Sequence, residues 1–81
     1  MVGYCDMKTN EVIPEDEAFG YAVEEVLRGS PGSLAHYIRQ ACDCNYIMEE
    51  SLQEMLDFID NDPEGFVDWF YSGNYFIVPL D

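Results

Sequence analysis

The sequence predicts an α+β domain, in which a small antiparallel sheet made of strands from the N- and C-terminal segments packs on about four short helices. Two observations favour this fold. The β-prone segments lie at the two ends, in residues 2–13 and 74–80, and four stretches between them carry apolar residues at helical spacing. With 81 residues, the chain is predicted to form a single domain, 1–81. A wholly helical bundle is the alternative.

The strands are predicted from alternating and β-branched residues. Residues 2–7 alternate, Lys8-Thr9-Asn10 forms a polar turn, and residues 11–13 resume as a second strand. Residues 74–80 are rich in aromatic and β-branched side chains. Pairing of this last segment with the N-terminal strands would bring the two ends of the chain together.

The first two helices are predicted from their end signals. Pro14 followed by three acids is typical of a first helical turn, because proline is tolerated there and acids complement the helix dipole. Gly29 is predicted to end this first helix. Ser33 is the predicted N-cap of the second helix, which is broken by residues 43–45.

The third helix is predicted from about Met48 to Asp60. Its inward-facing residues are predicted to be Met48, Leu52, Met55, Leu56 and Ile59. A short fourth helix is predicted to start at Asp62-Pro63-Glu64 and to end at Gly73.

The charge of the chain excludes several function classes. Seventeen acids against three cations give a formal net charge of −14. Direct binding to nucleic acid needs cationic side chains that displace counterions from the phosphates, and binding to an anionic membrane needs a polybasic protein surface. The charge of this chain argues against both. A hydrophobic content of 48% also argues against a disordered acidic tail.

The acids are concentrated in the second half of the chain. The cations are Lys8, Arg28 and Arg39, so residues 40–81 contain ten acids and no Lys or Arg. We predict that part of this acidic half binds a basic protein partner. The candidate partner-binding residues are Glu49, Glu50, Glu54, Asp57, Asp60, Glu64 and Asp68.

Three of these residues form a regular row on the third helix. Glu50, Glu54 and Asp57 have the spacing i, i+4, i+7, so they share one helix face opposite the apolar residues. A face selected only for solubility would normally interleave Lys with the acids. Two interpretations remain, namely an ordinary solvated face of an acidic protein and a row of carboxylates that imitates the phosphates of a nucleic-acid strand.

The second interpretation has a counterpart among known proteins. A strongly acidic chain of fewer than 100 residues, with a row at Glu50, Glu54, Asp57, Glu64 and Asp68, resembles the small DNA-mimic inhibitors of phages and mobile elements. These include anti-restriction proteins, anti-CRISPR proteins and uracil-DNA glycosylase inhibitors. The resemblance covers about half of the chain, and it implies a non-catalytic inhibitor of a basic DNA- or RNA-binding defence enzyme.

The alternative is a domain that depends on cations. Residues 60–68 resemble the first nine positions of an EF-hand calcium loop, and their candidate metal ligands are Asp60, Asp62, Glu64 and Asp68. The resemblance fails at position 12, where Tyr71 replaces the bidentate glutamate, and Pro63 favours a helix instead of a loop. Halophilic adaptation is a further explanation for the acidity.

No enzyme or cofactor is predicted. The chain has a single histidine, His36, and no glycine-rich phosphate-binding loop. Three cysteines cannot all pair within the chain, which favours free thiols in a reducing compartment. The N-terminal residues carry no basic, apolar signal segment, so we expect the cytoplasm.

Overall fold

The fold is a three-stranded antiparallel sheet packed against helices, and it confirms the predicted α+β class. The computed structural model describes residues 2–71 and 75–80. Within these residues the elements are β1 (Val2–Asp6), β2 (Val12–Glu15), α1 (Glu17–Leu27), α2 (Gly32–Asp43), α3 (Glu49–Asn61), α4 (Pro63–Tyr71) and β3 (Tyr75–Pro79). In the described part of the chain, no helix is both long and apolar enough to cross a membrane.

The sheet joins the two ends of the chain, as predicted. Strand β1 is central and pairs antiparallel with β2 on one side and with β3 on the other. Cys5 lies opposite Val12 in the first pair, and Asp6 lies opposite Tyr75 in the second. The wholly helical alternative is therefore wrong. Gly73 and Asn74, the predicted helix end and strand start, lie outside the described residues.

The predicted turn between β1 and β2 is also present. Asn10 has a positive φ of 61°, a conformation that asparagine tolerates better than most residues. The Asp6 carboxylate accepts a hydrogen bond of 2.8 Å from the backbone N–H of Lys8, and this bond fixes the start of the turn.

The predicted start of the first helix is wrong by three residues. Pro14 belongs to β2, and α1 begins at Glu17 with Asp16 as its N-cap. The Asp16 carboxylate accepts a 2.8 Å hydrogen bond from the backbone N–H of Phe19. Proline is tolerated in β2 because this strand lies at the edge of the sheet.

The predicted N-cap of the second helix is wrong as well. Helix α2 begins at Gly32 after Pro31, so Ser33 lies inside its first turn, and no side chain caps this end. The predicted inward face is correct, because the residues that α2 buries include Leu34, Tyr37, Ile38 and Ala41. The hydroxyl of Tyr37 donates to the carbonyl oxygen of Pro14 and so ties α2 to the sheet.

One residue of the third helix is not where the sequence predicts it. Met48 precedes α3 in an extended conformation and is 47% exposed, so it does not face inward. Met55 and Ile59 are buried, while Leu52 and Leu56 are half-buried.

Aromatic side chains join the sheet to the helices. Phe70 on α4 packs within 5.2 Å, between ring centroids, of Tyr4 on β1 and Phe19 on α1, and it stacks on Tyr75 of β3 at 4.6 Å. Both phenylalanines are at most 2% exposed. This cluster lies in the core where β1, β3, α1 and α4 meet.

Candidate partner-binding surface

All seven predicted partner-binding residues are exposed. The five on α3 are Glu49, Glu50, Glu54, Asp57 and Asp60, and the two on α4 are Glu64 and Asp68. Helix α3 packs against α4 on one side and against α2 on the other. We call the five acids of α3 the acidic row.

The acidic row occupies one side of its helix. With about 3.6 residues per turn, successive side chains are about 100° apart, and all five acids fall within an arc of about 140°. The buried side chains of Met55 and Ile59 point in the opposite direction. The backbone thus fixes the positions from which these acidic side chains leave the helix, which a flexible acidic segment would not do.

The described cations form no ion pair with the acidic row. Among residues 2–71 and 75–80, ion pairs within 4.0 Å are those of Arg28 with Glu24 and Glu25, all on or beside α1. Arg39 on α2 lines a cavity of about 300 Å³ together with Asp57 and Asp60, but no ion pair forms there. The row therefore presents a negative charge that is open to an external cation.

One member of the row makes local hydrogen bonds. Asp57 accepts a 2.9 Å bond from the side-chain amide of Gln53, and its backbone carbonyl accepts a 2.8 Å bond from the amide of Asn61. Both donors are neutral, so these bonds restrict the orientation of Asp57 without reducing its charge.

Residues 60–68, which resemble a calcium loop in sequence, are helical except at Asp62. Helix α3 continues to Asn61, Asp62 joins the two helices, and α4 starts at Pro63. Asp62 acts as the cap of α4, because its carboxylate accepts a 3.0 Å hydrogen bond from the backbone N–H of Gly65. In the described part of the chain, no three Asp, Glu, His or Cys side chains are grouped to hold a metal ion.

Two buried carboxylates near the acidic row were not predicted from the sequence. Asp6 is 9% exposed and Glu11 is 5% exposed. Glu11 accepts a 2.8 Å hydrogen bond from the backbone N–H of Met48 and a 3.3 Å bond from the hydroxyl of Thr9. An acid next to a short strand looks like an ordinary turn residue, so the sequence carries no signal for this contact.

Glu11 connects the β1–β2 hairpin to the start of α3, and its removal should destabilise the fold. For Glu11→Ala we expect the free energy of unfolding to fall by about 2–3 kcal/mol, because the backbone N–H of Met48 and the hydroxyl of Thr9 both lose a charged acceptor. Glu11→Gln keeps an oxygen acceptor and should lose less. Urea unfolding measures both changes, with exposed Glu17→Ala as the control, and equal midpoints for Glu11→Ala and Glu17→Ala would contradict this role.

Two buried tyrosines should make the fold sensitive to high pH. Burial, followed by the charge of Asp16, raises the pKa of Tyr37. Burial, followed by the charges of Asp6 and Glu11, raises the pKa of Tyr75. Both phenols thus stay protonated in the folded state at a pH where the unfolded chain ionises, near 10.0. Below pH 10, these two phenols should not make the free energy of unfolding depend on pH. Above pH 10, the free energy of unfolding should fall by about 1.4 kcal/mol per pH unit for each phenol.

Single Phe variants separate the two contributions. Within the described residues, the hydroxyl of Tyr75 is buried without a hydrogen-bond partner, so Tyr75→Phe should be at least as stable as the wild type at pH 7 and less sensitive to alkali. Tyr37→Phe loses the bond to Pro14 and should be less stable by about 1 kcal/mol at pH 7. Urea unfolding at pH 8, 10 and 11 tests this, and an unchanged alkaline slope in both variants would refute the assignment.

The three cysteines are free, with Cys5 and Cys42 buried and Cys44 exposed. Burial raises the pKa of the Cys42 thiol, and the charges of Glu49, Asp43 and Glu11 raise it further. This thiol is therefore held in its protonated, poorly nucleophilic form.

Comparison with known proteins provides no relative. No protein-family model, no curated protein and no solved structure matches this chain. Its function is therefore inferred from the residues and their geometry.

Proposed function

We propose that this protein is a non-catalytic acidic interaction protein that binds a basic partner by imitating a nucleic-acid strand. The partner would be a DNA- or RNA-binding defence enzyme in the cytoplasm, inhibited as anti-CRISPR and anti-restriction proteins inhibit their targets. The observation that carries the proposal is the acidic row, in which five exposed carboxylates lie on one side of α3 without a cation paired to them in the described part of the chain.

The charge spacing of the row supports this proposal. From Glu49 to Asp60, α3 rises by about 17 Å, so the five carboxylates are about 4 Å apart along the helix axis on average. One strand of DNA carries a charge about every 3.4 Å along its axis. A groove lined with Lys and Arg for a phosphate backbone would therefore meet a similar charge density on α3.

The energetics also support a role for the row in binding. Like charges at i, i+4 weaken a helix by a few tenths of a kcal/mol per pair, and Glu50 and Glu54 form such a pair. The charges therefore lower the stability of the free protein. The same charges steer a basic partner toward the row and raise the rate of association.

The experiment compares two variants with the same net charge. Glu50→Gln/Asp57→Asn neutralises two acids of the row, and Glu17→Gln/Glu24→Gln neutralises two exposed acids of α1. Each protein is immobilised and exposed to a bacterial lysate, and bound proteins are eluted first with duplex DNA and then with increasing NaCl. We expect the wild type and the α1 variant to retain DNA- or RNA-binding proteins that duplex DNA releases, and the row variant to retain much less. Equal retention by both variants would refute the proposal.

Thermal unfolding distinguishes the proposal from the cation-dependent alternatives. If the acidic row is a surface for a protein partner, micromolar calcium should leave the melting temperature unchanged. A rise in melting temperature with calcium that Asp60→Ala abolishes would support a metal site, and a rise only in molar salt would support halophilic adaptation.

A further inference from the structure

The β2 edge of the sheet has its backbone groups occupied. The N–H of Val12 points away from β1 and donates a 3.0 Å hydrogen bond to the carbonyl of Tyr46. Pro14 has the same backbone direction because it lies two residues further along the strand, and proline has no N–H to offer. Its carbonyl accepts from the hydroxyl of Tyr37. A further strand therefore has no free edge to pair with on β2.

The direction of the backbone groups in β1 and β3 follows from one hydrogen bond in the turn. The N–H of Asp6 donates a 2.8 Å bond to the carbonyl of Glu11, on the β2 side. Backbone directions alternate along a strand, so Cys5 faces β3 and bonds to Phe76, the residue opposite it. The same alternation along β3 directs the N–H and the carbonyl of Ile77 away from β1.

The β3 edge is open. Its outward-directed residues are Tyr75, Ile77 and Pro79, and proline suits this direction because its missing N–H would face solvent. Among residues 2–71 and 75–80, no other segment forms a backbone hydrogen bond with these three. The side chain of Ile77 is 62% exposed, so the helices do not cover this edge. Strand β3 thus presents unpaired donors and acceptors.

This edge lacks the charges that usually prevent strands from pairing between molecules. Natural sheets protect their edges with charged side chains, bulges or proline. Residues 75–80 contain no charged residue, although the chain carries 17 acids. The β1–β3 register is continuous over five residue pairs, and Pro79 stands only at the end of the strand. An uncharged and regular edge in so acidic a chain indicates a pairing surface.

We propose that β3 pairs antiparallel with β3 of a second copy of this chain, about a two-fold axis at Ile77. Each Ile77 N–H then donates to the Ile77 carbonyl of the other copy, and each Tyr75 N–H donates to the carbonyl of Pro79. Every outward N–H of the strand is used, and the two three-stranded sheets become one sheet of six strands.

The side chains of β3 complement those of a second copy. In this register Ile77 lies opposite Ile77, and Phe76 lies opposite Val78. Phe76 is 47% exposed in the single chain, and cross-strand pairs of an aromatic with a β-branched residue are stabilising. A basic strand of another protein would form the same backbone bonds, but its cations would meet no acid in residues 75–80. The edge therefore fits a second copy better than a basic partner.

Repulsion between two acidic copies determines the strength of the dimer and its salt dependence. Each copy carries a formal charge of −14. The paired strands are only about 17 Å long, which is a small contact. We expect a dissociation constant on the order of 100 µM at 0.15 M NaCl, and several-fold tighter association at 1 M NaCl, because salt screens the repulsion. Binding of a basic partner by the acidic row should weaken in salt, so this inference does not depend on the proposed function.

Sedimentation equilibrium of the full chain, from about 10 to 500 µM, tests the dimer. We expect the average mass of the wild type to rise toward twice that of the monomer. Ile77→Lys should stay monomeric, because like charges lie directly opposite each other. The matched control is Leu27→Lys on α1, where the side chain is 63% exposed, and it should dimerise like the wild type. Both variants reduce the net negative charge equally. A monomeric wild type at every concentration, or equal association of the two variants, would overturn the proposal.

Amide hydrogen exchange followed by NMR identifies the surface that pairs. We expect exchange at Ile77 to slow as the concentration rises, while exchange at Phe76, which bonds to β1, changes little. Ile77→Pro removes the outward N–H without removing a bond to β1, so it should keep the fold in urea unfolding and lose the dimer. A rise in mass with unchanged exchange at Ile77, or a folded Ile77→Pro variant that still dimerises, would overturn the proposal in favour of another contact.

Discussion

Reversal of three charges in the acidic row, Glu50→Lys/Glu54→Lys/Asp57→Lys, is expected to abolish binding to the captured partner. Each substitution replaces an attractive charge with a repulsive one at an exposed position, and like charges brought together at an interface cost several kcal/mol in total. A loss of about 3 kcal/mol or more corresponds to a weakening of more than about 100-fold. Titration calorimetry at 0.15 M NaCl measures the change.

The control for this prediction reverses three acids on α1, namely Glu17, Glu24 and Glu25. Both triple variants change the net charge equally, so a partner that responds only to overall charge would lose both alike. We expect the α1 variant to bind with a modestly reduced association rate and a nearly unchanged dissociation rate. Both variants should fold, which circular dichroism and urea unfolding verify. Equal affinities for the two triple variants would contradict recognition by the row.

The largest loss of stability is expected from Phe70→Ala. The side chain of Phe70 is 2% exposed and contacts aromatic rings from β1, α1, α4 and β3, with centroid distances from 4.6 to 6.3 Å. Truncation leaves a cavity where these elements meet, and buried Phe→Ala changes cost about 3–5 kcal/mol. A domain of this size has a total stability of only about 4–12 kcal/mol, so we expect the variant to be partly unfolded at 37 °C.

Phe76→Ala on β3 is the matched control, because the same truncation is made at a side chain that is 47% exposed. We expect it to cost about 1 kcal/mol or less, with the urea dependence of the unfolding free energy unchanged. If the two phenylalanine variants unfolded at the same urea concentration, Phe70 would not be the junction of the core.

The sequence predicted the elements better than their ends. Apolar spacing located the helices and the alternation located the strands, because these patterns reflect which face is buried. The sequence pattern places the boundary between β2 and α1 too early, because Pro14 is compatible with both a helix start and an edge strand. Only the pairing with β1 decides between the two. Ser33 was misassigned for a related reason, since α2 begins one residue earlier without a side-chain cap.

The candidate surface was partly predictable. Helical spacing was sufficient to place Glu50, Glu54 and Asp57 on one exposed side of α3, since a side chain opposite the buried face must be exposed. The buried carboxylates of Asp6 and Glu11 were not predictable. Their positions depend on the contact of the β1–β2 turn with α3, which joins residues 37 apart in the chain through the bond from Met48 to Glu11.

The most direct test of recognition by the acidic row is competition with DNA for the captured enzyme. A fluorescently labelled duplex is bound to the purified enzyme, and this protein is added while fluorescence anisotropy is recorded. We expect complete displacement of the duplex, with a midpoint that rises in proportion to the duplex concentration. The triple variant of the row should fail to displace it, whereas the α1 triple variant should succeed. A stable ternary complex, in which the enzyme holds the duplex and this protein together, would contradict nucleic-acid mimicry.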